Sequence, residues 1–290
     1  MEVIRSAAEM QKKSFAFIRE SKTIGFVPTM GFFHEGHVAL MEQARRENDL
    51  VITSIFVNPL QFGPNEDYER YPRNEANDLA LAADAGVDLV FIPSAAEMYP
   101  AKMLISLTIE ERANVLCGRT RPGHFEGVLT VLAKLFHLIQ PTKAYFGMKD
   151  AQQFSVVSAL VDNLNFPVQL IAVPTVRESD GLAKSSRNVN LDEKERKEAV
   201  SLYKALQHGR QLVVDGEKNP AIIVKEVKEQ IASQLNGKMD YVELWSYPAL
   251  EPVSVIDRQV ILAIAVQFEK ARLIDNLVFD ERGCIGSQIR

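Results

Sequence analysis

The run Ile24-Gly25-Phe26-Val27-Pro28-Thr29-Met30-Gly31-Phe32-Phe33-His34-Glu35-Gly36-His37-Val38 passes from an apolar strand through a glycine turn into an amphipathic helix. Ile24 to Val27 read as a short buried strand, and Val38, Met41 and Ala44 recur at helical spacing. A strand that feeds directly into a helix is the opening unit of an α/β fold. The N-terminus of that helix presents unpaired N–H groups and the positive end of the helix dipole, so it favours an anion. His34 and His37 stand there, and an imidazole donates a hydrogen bond to a phosphate oxygen, with added charge when protonated. Gly31 and Gly36 let the backbone approach a ligand closely. The plainer uses of such a pair are a helix cap and a shared zinc ion. Zinc has little support, because Cys117 and Cys284 lie far apart and neither has a CxxC partner.

Outward from this turn the same alternation continues. Leu50 to Val57 and Val87 to Ile92 read as strands, with a polar helix over Glu75 to Ala85 between them. Phe125 to Ile139 reads as a buried helix, Lys143 to Phe146 as a strand, Ala151 to Asp162 as a helix and Val168 to Val173 as a strand. Such alternation predicts a Rossmann-like parallel sheet with helices on both faces, whose ligands bind beyond the carboxyl ends of the strands. After Val176 the pattern changes. Asp192 with Glu195 three residues later predicts a capped helix running to Val214, and a second helix follows over Pro220 to Leu235. Three strand-like runs close the chain, at 240–246, 259–268 and 272–279. The expected organisation is residues 1–176 as an α/β unit and 177–290 as a smaller α+β unit.

Composition narrows the partners. The 290 residues are 47% hydrophobic and 24% charged with a net charge of −5, which suits a globular chain and argues against nucleic acid as a partner. Two cysteines without a framework fit a reducing compartment, and Met1 to Arg5 lack the pattern of a signal peptide, so the cytoplasm is expected. No apolar run approaches a membrane span, and no internal repeat or low-complexity linker is evident.

Three further polar segments fall at strand ends or at the change of pattern. Asn58-Pro59-Leu60-Gln61 follows a strand and reads, taken alone, as a turn initiated by Asn58-Pro59. In Gly147-Met148-Lys149-Asp150-Ala151-Gln152-Gln153, Gly147 opens a turn, Lys149 reaches a phosphate, Asp150 accepts from ribose hydroxyls and Gln153 faces back one helical turn later. Lys184-Ser185-Ser186-Arg187 gathers an ammonium, two hydroxyls and a guanidinium into a loop, a natural set for a triphosphate. Each has a bland reading as a cap or loop, but their coincidence at strand ends is poorly explained by accident.

The segments 28–37, 56–73, 121–128, 145–153 and 176–188, together with Lys270 to Asn276, resemble in order and spacing the pantoate–beta-alanine ligase family, over nearly the whole chain. The His34-to-His37 element alone is less specific, being similar to nucleotidylyltransferases and class I aminoacyl-tRNA synthetases. The resemblance implies condensation of pantoate with β-alanine at the expense of ATP, giving pantothenate, AMP and pyrophosphate through pantoyl adenylate. It implies small-molecule substrates only, with neither nucleic acid nor membrane as partner, Mg²⁺ accompanying ATP, and a homodimer.

The site residues follow from it. His34, His37 and Lys149 would be catalytic, with His37 as proton donor. Met30, Gly31, Gly147, Asp150, Val176, Lys184, Ser185, Ser186 and Arg187 would join them around ATP, with the main chain near Val176 meeting adenine. Gln61 and Gln153 would hold pantoate, with Asn58 beside them and Pro28, Met30 and Phe56 as an apolar wall. Arg121 is a second phosphate contact, His124 a loop residue near the site, and Asp78 a helix surface residue, with a metal ligand as its alternative by loose position; no metal ligand is assigned. Two departures from the family pattern, Met148 and Phe32-Phe33, would alter the pocket wall and leave the phosphate chemistry unchanged.

Overall fold

The computed structural model describes residues 1–64 and 66–286. Its first part runs β1 (Glu2–Ile4), α1 (Ala7–Arg19), β2 (Ile24–Thr29), α2 (Glu35–Glu47), β3 (Leu50–Ile55), α3 (Glu75–Asp84), β4 (Leu89–Phe91) and α4 (Ala95–Met98). It continues through α5 (Leu116–Thr120), α6 (His124–Ile139), β5 (Lys143–Gly147), α7 (Ala151–Leu164) and β6 (Gln169–Val173). Six strands form one parallel sheet in the order β1-β4-β3-β2-β5-β6.

Side chains alternate across this sheet because successive strand residues point to opposite faces. Phe26, Ile52 and Phe91 enter the core shared with α1, α6 and α7, whereas Val27, Val51 and Val90 enter the one shared with α2 and α3. From β2 the chain moves outward to β3 and β4, then returns to the other side of β2 for β5 and β6. The reversal lies between β2 and β5, and connections that diverge at such a point leave a crevice beyond the strand ends. The turns after β2 and after β5 carry His34 and Lys149 into that crevice.

The second part begins with a 3₁₀ turn over Ser186–Asn190, then α8 (Glu193–Val214), α9 (Pro220–Ala232), β7 (Lys238–Ser246), β8 (Val260–Gln267) and β9 (Arg272–Phe279). Asp192 caps α8 as expected: it accepts from the Glu195 N–H at 2.7 Å while Glu195 accepts from the Asp192 N–H at 3.1 Å. The three strands form an antiparallel sheet, β7-β8-β9. One face, with Val242, Leu262 and Ile264, packs on α8 and α9; the other, with Tyr241, Ile261, Ala263 and Val278, joins the core of the first part. β8 is therefore buried on both faces and reads as a continuous apolar run.

Four elements fall outside the pattern read from sequence. β1, α4 and α5 are three to five residues long, too short for a period to register. In α1 the exposed Phe15 and Ile18 blur the apolar stripe. Among the described residues no helix is long and apolar enough to cross a membrane.

Candidate active site

The turn after β2 is built around Asp78 on α3. Its carboxylate accepts from the Phe32 N–H at 2.8 Å and the Phe33 N–H at 2.6 Å. Gly31 has φ +81°, and a β-carbon there would stand 2.9 Å from Ile55 Cγ2 and 3.0 Å from Asp78 Oδ2, so this buried position requires glycine. Asp78 is not on the helix surface. It is 1% exposed, burial raises its carboxyl above the ordinary value despite the two N–H groups, and its role is to hold the turn instead of a metal.

His34 is the N-cap of α2, and Nδ1 of each histidine accepts a backbone N–H. His34 Nδ1 takes the Gly36 N–H at 3.1 Å and His37 Nδ1 takes the His34 N–H at 3.3 Å, a reciprocal capping box made of imidazoles. The plainer reading of the pair as a cap and its reading as a phosphate site are therefore both served by one geometry. With Nδ1 accepting, the neutral ring carries its proton on Nε2, so each imidazole keeps one donor for a ligand. A β-carbon on Gly36 would come within 2.8 Å of His34 Cε1, which is why the intervening residue is glycine.

Both rings line the cavity over the crevice. Burial lowers His34 to about 4, with Lys149 adding to the effect, and burial, His34 and Lys149 hold His37 well below the ordinary imidazole value. Near neutral pH the pair are then neutral donors, without the added charge that a protonated ring would bring.

Gln61 ends a 3₁₀ turn over Pro59–Gln61 that Asn58 caps. Asn58 Oδ1 accepts from Leu60 N at 3.2 Å and from the Tyr99 hydroxyl at 2.8 Å, and Nδ2 donates to Gln61 Oε1 at 3.1 Å and Gly127 O at 3.0 Å. Both polar side-chain atoms of Asn58 are thus engaged, and the residue is buried beside Gln61. The structure corrects its placement beside pantoate: it orients Gln61, whose Nε2 is left to meet Met30 Sδ at 3.2 Å and the cavity.

The Gln61 carbonyl is held as well, by His124 Nδ1 at 2.9 Å and Arg121 Nη2 at 3.4 Å. Arg121 forks onto Glu66 at 2.7 and 2.5 Å and so organises the wall of the cavity it lines. Gly127 permits this packing, since a β-carbon would approach Leu60 O to 2.3 Å.

Pro28, Met30 and Phe56 line the cavity as expected, and Val128, Val131, Leu132 and Leu135 of α6 complete the apolar wall. Those four carry only a helical core period in sequence, and the one cue to their use is Gly127 within the same run. Gln153, Gly147, Lys149, Asp150, Val176, Lys184, Ser185, Ser186 and Arg187 line the same cavity, while Gly31 stays within its turn. A second chamber opens toward β8 and β9 and shares Lys149, Asp150, Gln153, Ser185 and Arg187 with the first.

The 184–187 loop is tied down by its own charges. Lys184 pairs with Glu35 and Glu178 at 3.0 Å each, and its N–H donates to Val176 O at 2.9 Å. Ser185 Oγ accepts from the Arg187 N–H at 3.3 Å, and Ser186 Oγ donates to Phe32 O at 3.4 Å, joining this loop to the histidine turn. Arg187 forks onto Asp67 at 2.9 and 3.1 Å and lies over the Tyr71 ring. Burial opposes the charge of Asp67, but the guanidinium prevails and holds its carboxyl below the ordinary value. Among the described residues no group of three or more His, Cys, Asp or Glu side chains comes together to hold a metal.

The arrangement offers neutral N–H donors, cationic side chains and amide groups around a space with one apolar side, which suits a carboxylate and a polyphosphate held together. Residues 2–278 match the family model described as pantoate-beta-alanine ligase. The chain is 55% identical over 280 residues to pantothenate synthetase of Geobacillus sp. strain WCH70, covering 97% of this chain and 99% of that one. It is 54% identical over 282 residues to pantothenate synthetase of Bacillus subtilis strain 168, covering 97% and 98%. The crystal structure of pantothenate synthetase from Thermus thermophilus superposes with a TM-score of 0.90 at 46% identity, over 96% of this chain and 99% of that one. Pantoate-beta-alanine ligase from Francisella tularensis, complexed with beta-gamma ATP and beta-alanine, gives 0.78 at 33% identity, over 96% and 97%.

Proposed function

The chain belongs to the pantoate–beta-alanine ligase family, and on that premise we propose that it condenses pantoate with β-alanine at the cavity between β2 and β5, using ATP. The observation that carries this reading is the convergence on one cavity of two neutral imidazole donors, Lys149, and the amides Gln61 and Gln153.

A carboxylate does not yield its oxygen to an amine at neutral pH, so it must first acquire a leaving group. In the first step a pantoate carboxylate oxygen bonds to the α-phosphorus of ATP, the bond to the bridging oxygen breaks, and pyrophosphate leaves. In the second the unprotonated amine of β-alanine attacks the acyl carbon, AMP leaves with the bonding pair, and the amine gives up a proton. Gln61 and Gln153 orient the pantoate carboxylate as neutral donors, without the damping of its nucleophilicity that a lysine would cause. Pro28, Met30, Phe56 and the α6 side chains take its gem-dimethyl carbon. The Nε2–H groups of His34 and His37 meet phosphate oxygens and stabilise charge that grows during the first step, with His37 as hydrogen-bond donor in its neutral form.

Lys149, Ser185, Ser186 and Arg187 neutralise the triphosphate from the other side. Asp150 with Gly147 holds the ribose, and the main chain at Val176 meets adenine. Residues 1–176 bind the substrates and 177–290 cover the ATP site, with Lys184 to Arg187 facing the phosphates. Mg²⁺ enters as part of the nucleotide substrate, keeping phosphate oxygens and waters as its ligands. A cytoplasmic homodimer is the expected state.

Incubation with ATP, pantoate and β-alanine should release AMP and pyrophosphate in equal amounts, and pantoate with ATP alone should exchange labelled pyrophosphate into ATP. Release of ADP and phosphate would exclude the adenylate route.

A further inference from the structure

The segment Lys270 to Asn276 contributes no group to the roles above, yet its last two residues reach both parts of the proposed phosphate grip. Asn276 on β9 is buried, and its Nδ2 donates to the carbonyls of Met148 at 3.1 Å and Lys149 at 2.9 Å. Both hydrogens of one amide are used on two consecutive carbonyls, a match that a side chain with a single donor cannot make. Met148 is buried in the core and Gly147 is paired with Val173 on β6, so what Asn276 adds to the turn is a fixed direction for its two carbonyls.

Asp275, the preceding residue, accepts a fork from Arg177 at 2.6 and 2.9 Å and also accepts its neighbour's N–H, from Asn276, at 2.8 Å. Arg177 stacks 3.8 Å from the Tyr203 ring centroid and donates to Gly181 O at 3.1 Å. Arg177 thus anchors the start of the segment that ends in Lys184 to Arg187, while Asn276 anchors Lys149. Two adjacent residues on one hydrogen-bonded strand span the grip.

We propose that Asp275 and Asn276 are positioning residues, which set the separation between Lys149 and the 184–187 loop and thereby the fit to a triphosphate. The proposal rests on the reading of Lys149 as a phosphate contact. A displacement of about 1 Å in such a group costs up to about a hundredfold in rate, and a shared rigid strand is a direct way to prevent it. Asn276 lines the second chamber, so water can take the place of its donors when the side chain is removed.

A double-mutant cycle on the full chain tests this, with KM measured for each substrate. Asn276→Ala should raise the KM for ATP about tenfold and leave those for pantoate and β-alanine within about twofold. In a Lys149→Ala background the same substitution should add almost nothing to the ATP effect, because the group it positions is gone. Additive effects, or a lower melting temperature with all three KM values unchanged, would overturn the proposal and leave Asn276 as a structural tie. If Lys149→Ala alone leaves ATP handling intact, the reading of Lys149 fails and this inference with it. Should Asn276→Ala not fold, Asn276→Ser, which keeps one donor, enters the same cycle with the same criteria.

Discussion

The histidine turn and the 184–187 loop are both proposed to meet phosphates, and they differ in what they must do first. At the turn the imidazoles are neutral, their Nδ1 atoms already satisfied by backbone N–H groups, and both residues line the cavity. In the loop the cations are engaged: Lys184 by Glu35 and Glu178, Arg187 by Asp67. The first region is preorganised, so nothing has to be broken for it to accept charge. The second must exchange carboxylates for phosphate, which makes its engagement conditional on the nucleotide. Lys149 stands between them, with no ion pair among the described residues.

The largest effect should come from the preorganised side. His37→Ala removes a donor aimed at developing charge, and adenylate formation in a single turnover should slow about 10² to 10³-fold while the protein stays folded. An unchanged rate would take that histidine out of the mechanism and erase the distinction between the regions. Next, Asn58→Ala should free the Gln61 amide and lower kcat/KM for pantoate about tenfold, consistent with about 1–2 kcal/mol for buried hydrogen bonds lost. Equal losses for ATP would mean that Asn58 supports the whole site and not Gln61 in particular.

A smaller change of opposite sign is expected from the loop. Asp67→Asn releases Arg187 from competition, so the KM for ATP should fall about two- to fivefold at a cost to stability of under about 1 kcal/mol. A rise would show that Asp67 presents Arg187 to the nucleotide instead of withholding it.

The smallest expectation is an absence of change with pH. Because His34 is lowered to about 4 and His37 held well below its ordinary value, kcat/KM should show no imidazole step near pH 6.5. Stability should respond in that window. The unfolded chain takes up protons near 6.5 that the folded His34 and His124 refuse until about 4, so stability falls as pH drops across that range. Thermal unfolding at pH 7 and 5 measures this, and a higher melting temperature at pH 5 would contradict it.

Much of the site was legible because its elements are local. The strand-to-helix turn, the capping pair Asp192 and Glu195 and the helical period of α6 all depend on residues within a few positions of one another. Gln61, Lys149 and Arg187 stand out by type and by place at strand ends. Asp78 and Asn58 differ from the reading of the sequence for one reason: each is a buried polar side chain with partners far along the chain. Asp78 bonds residues 45 and 46 positions away and Asn58 one 69 away. No spacing rule predicts such partners, and a buried polar group that organises backbone looks in sequence like one that binds a ligand.

Sequence by itself determined the element types, their order and the chemical kinds of donor available, since periodicity, capping and turn chemistry act over a few residues. Only the tertiary structure decided that β2 and β5 lie side by side and open the crevice, that the histidines are neutral, and that Arg187 faces Asp67. Strand order, burial and charge pairing are sums over contacts between distant residues, so they come into being when the chain packs.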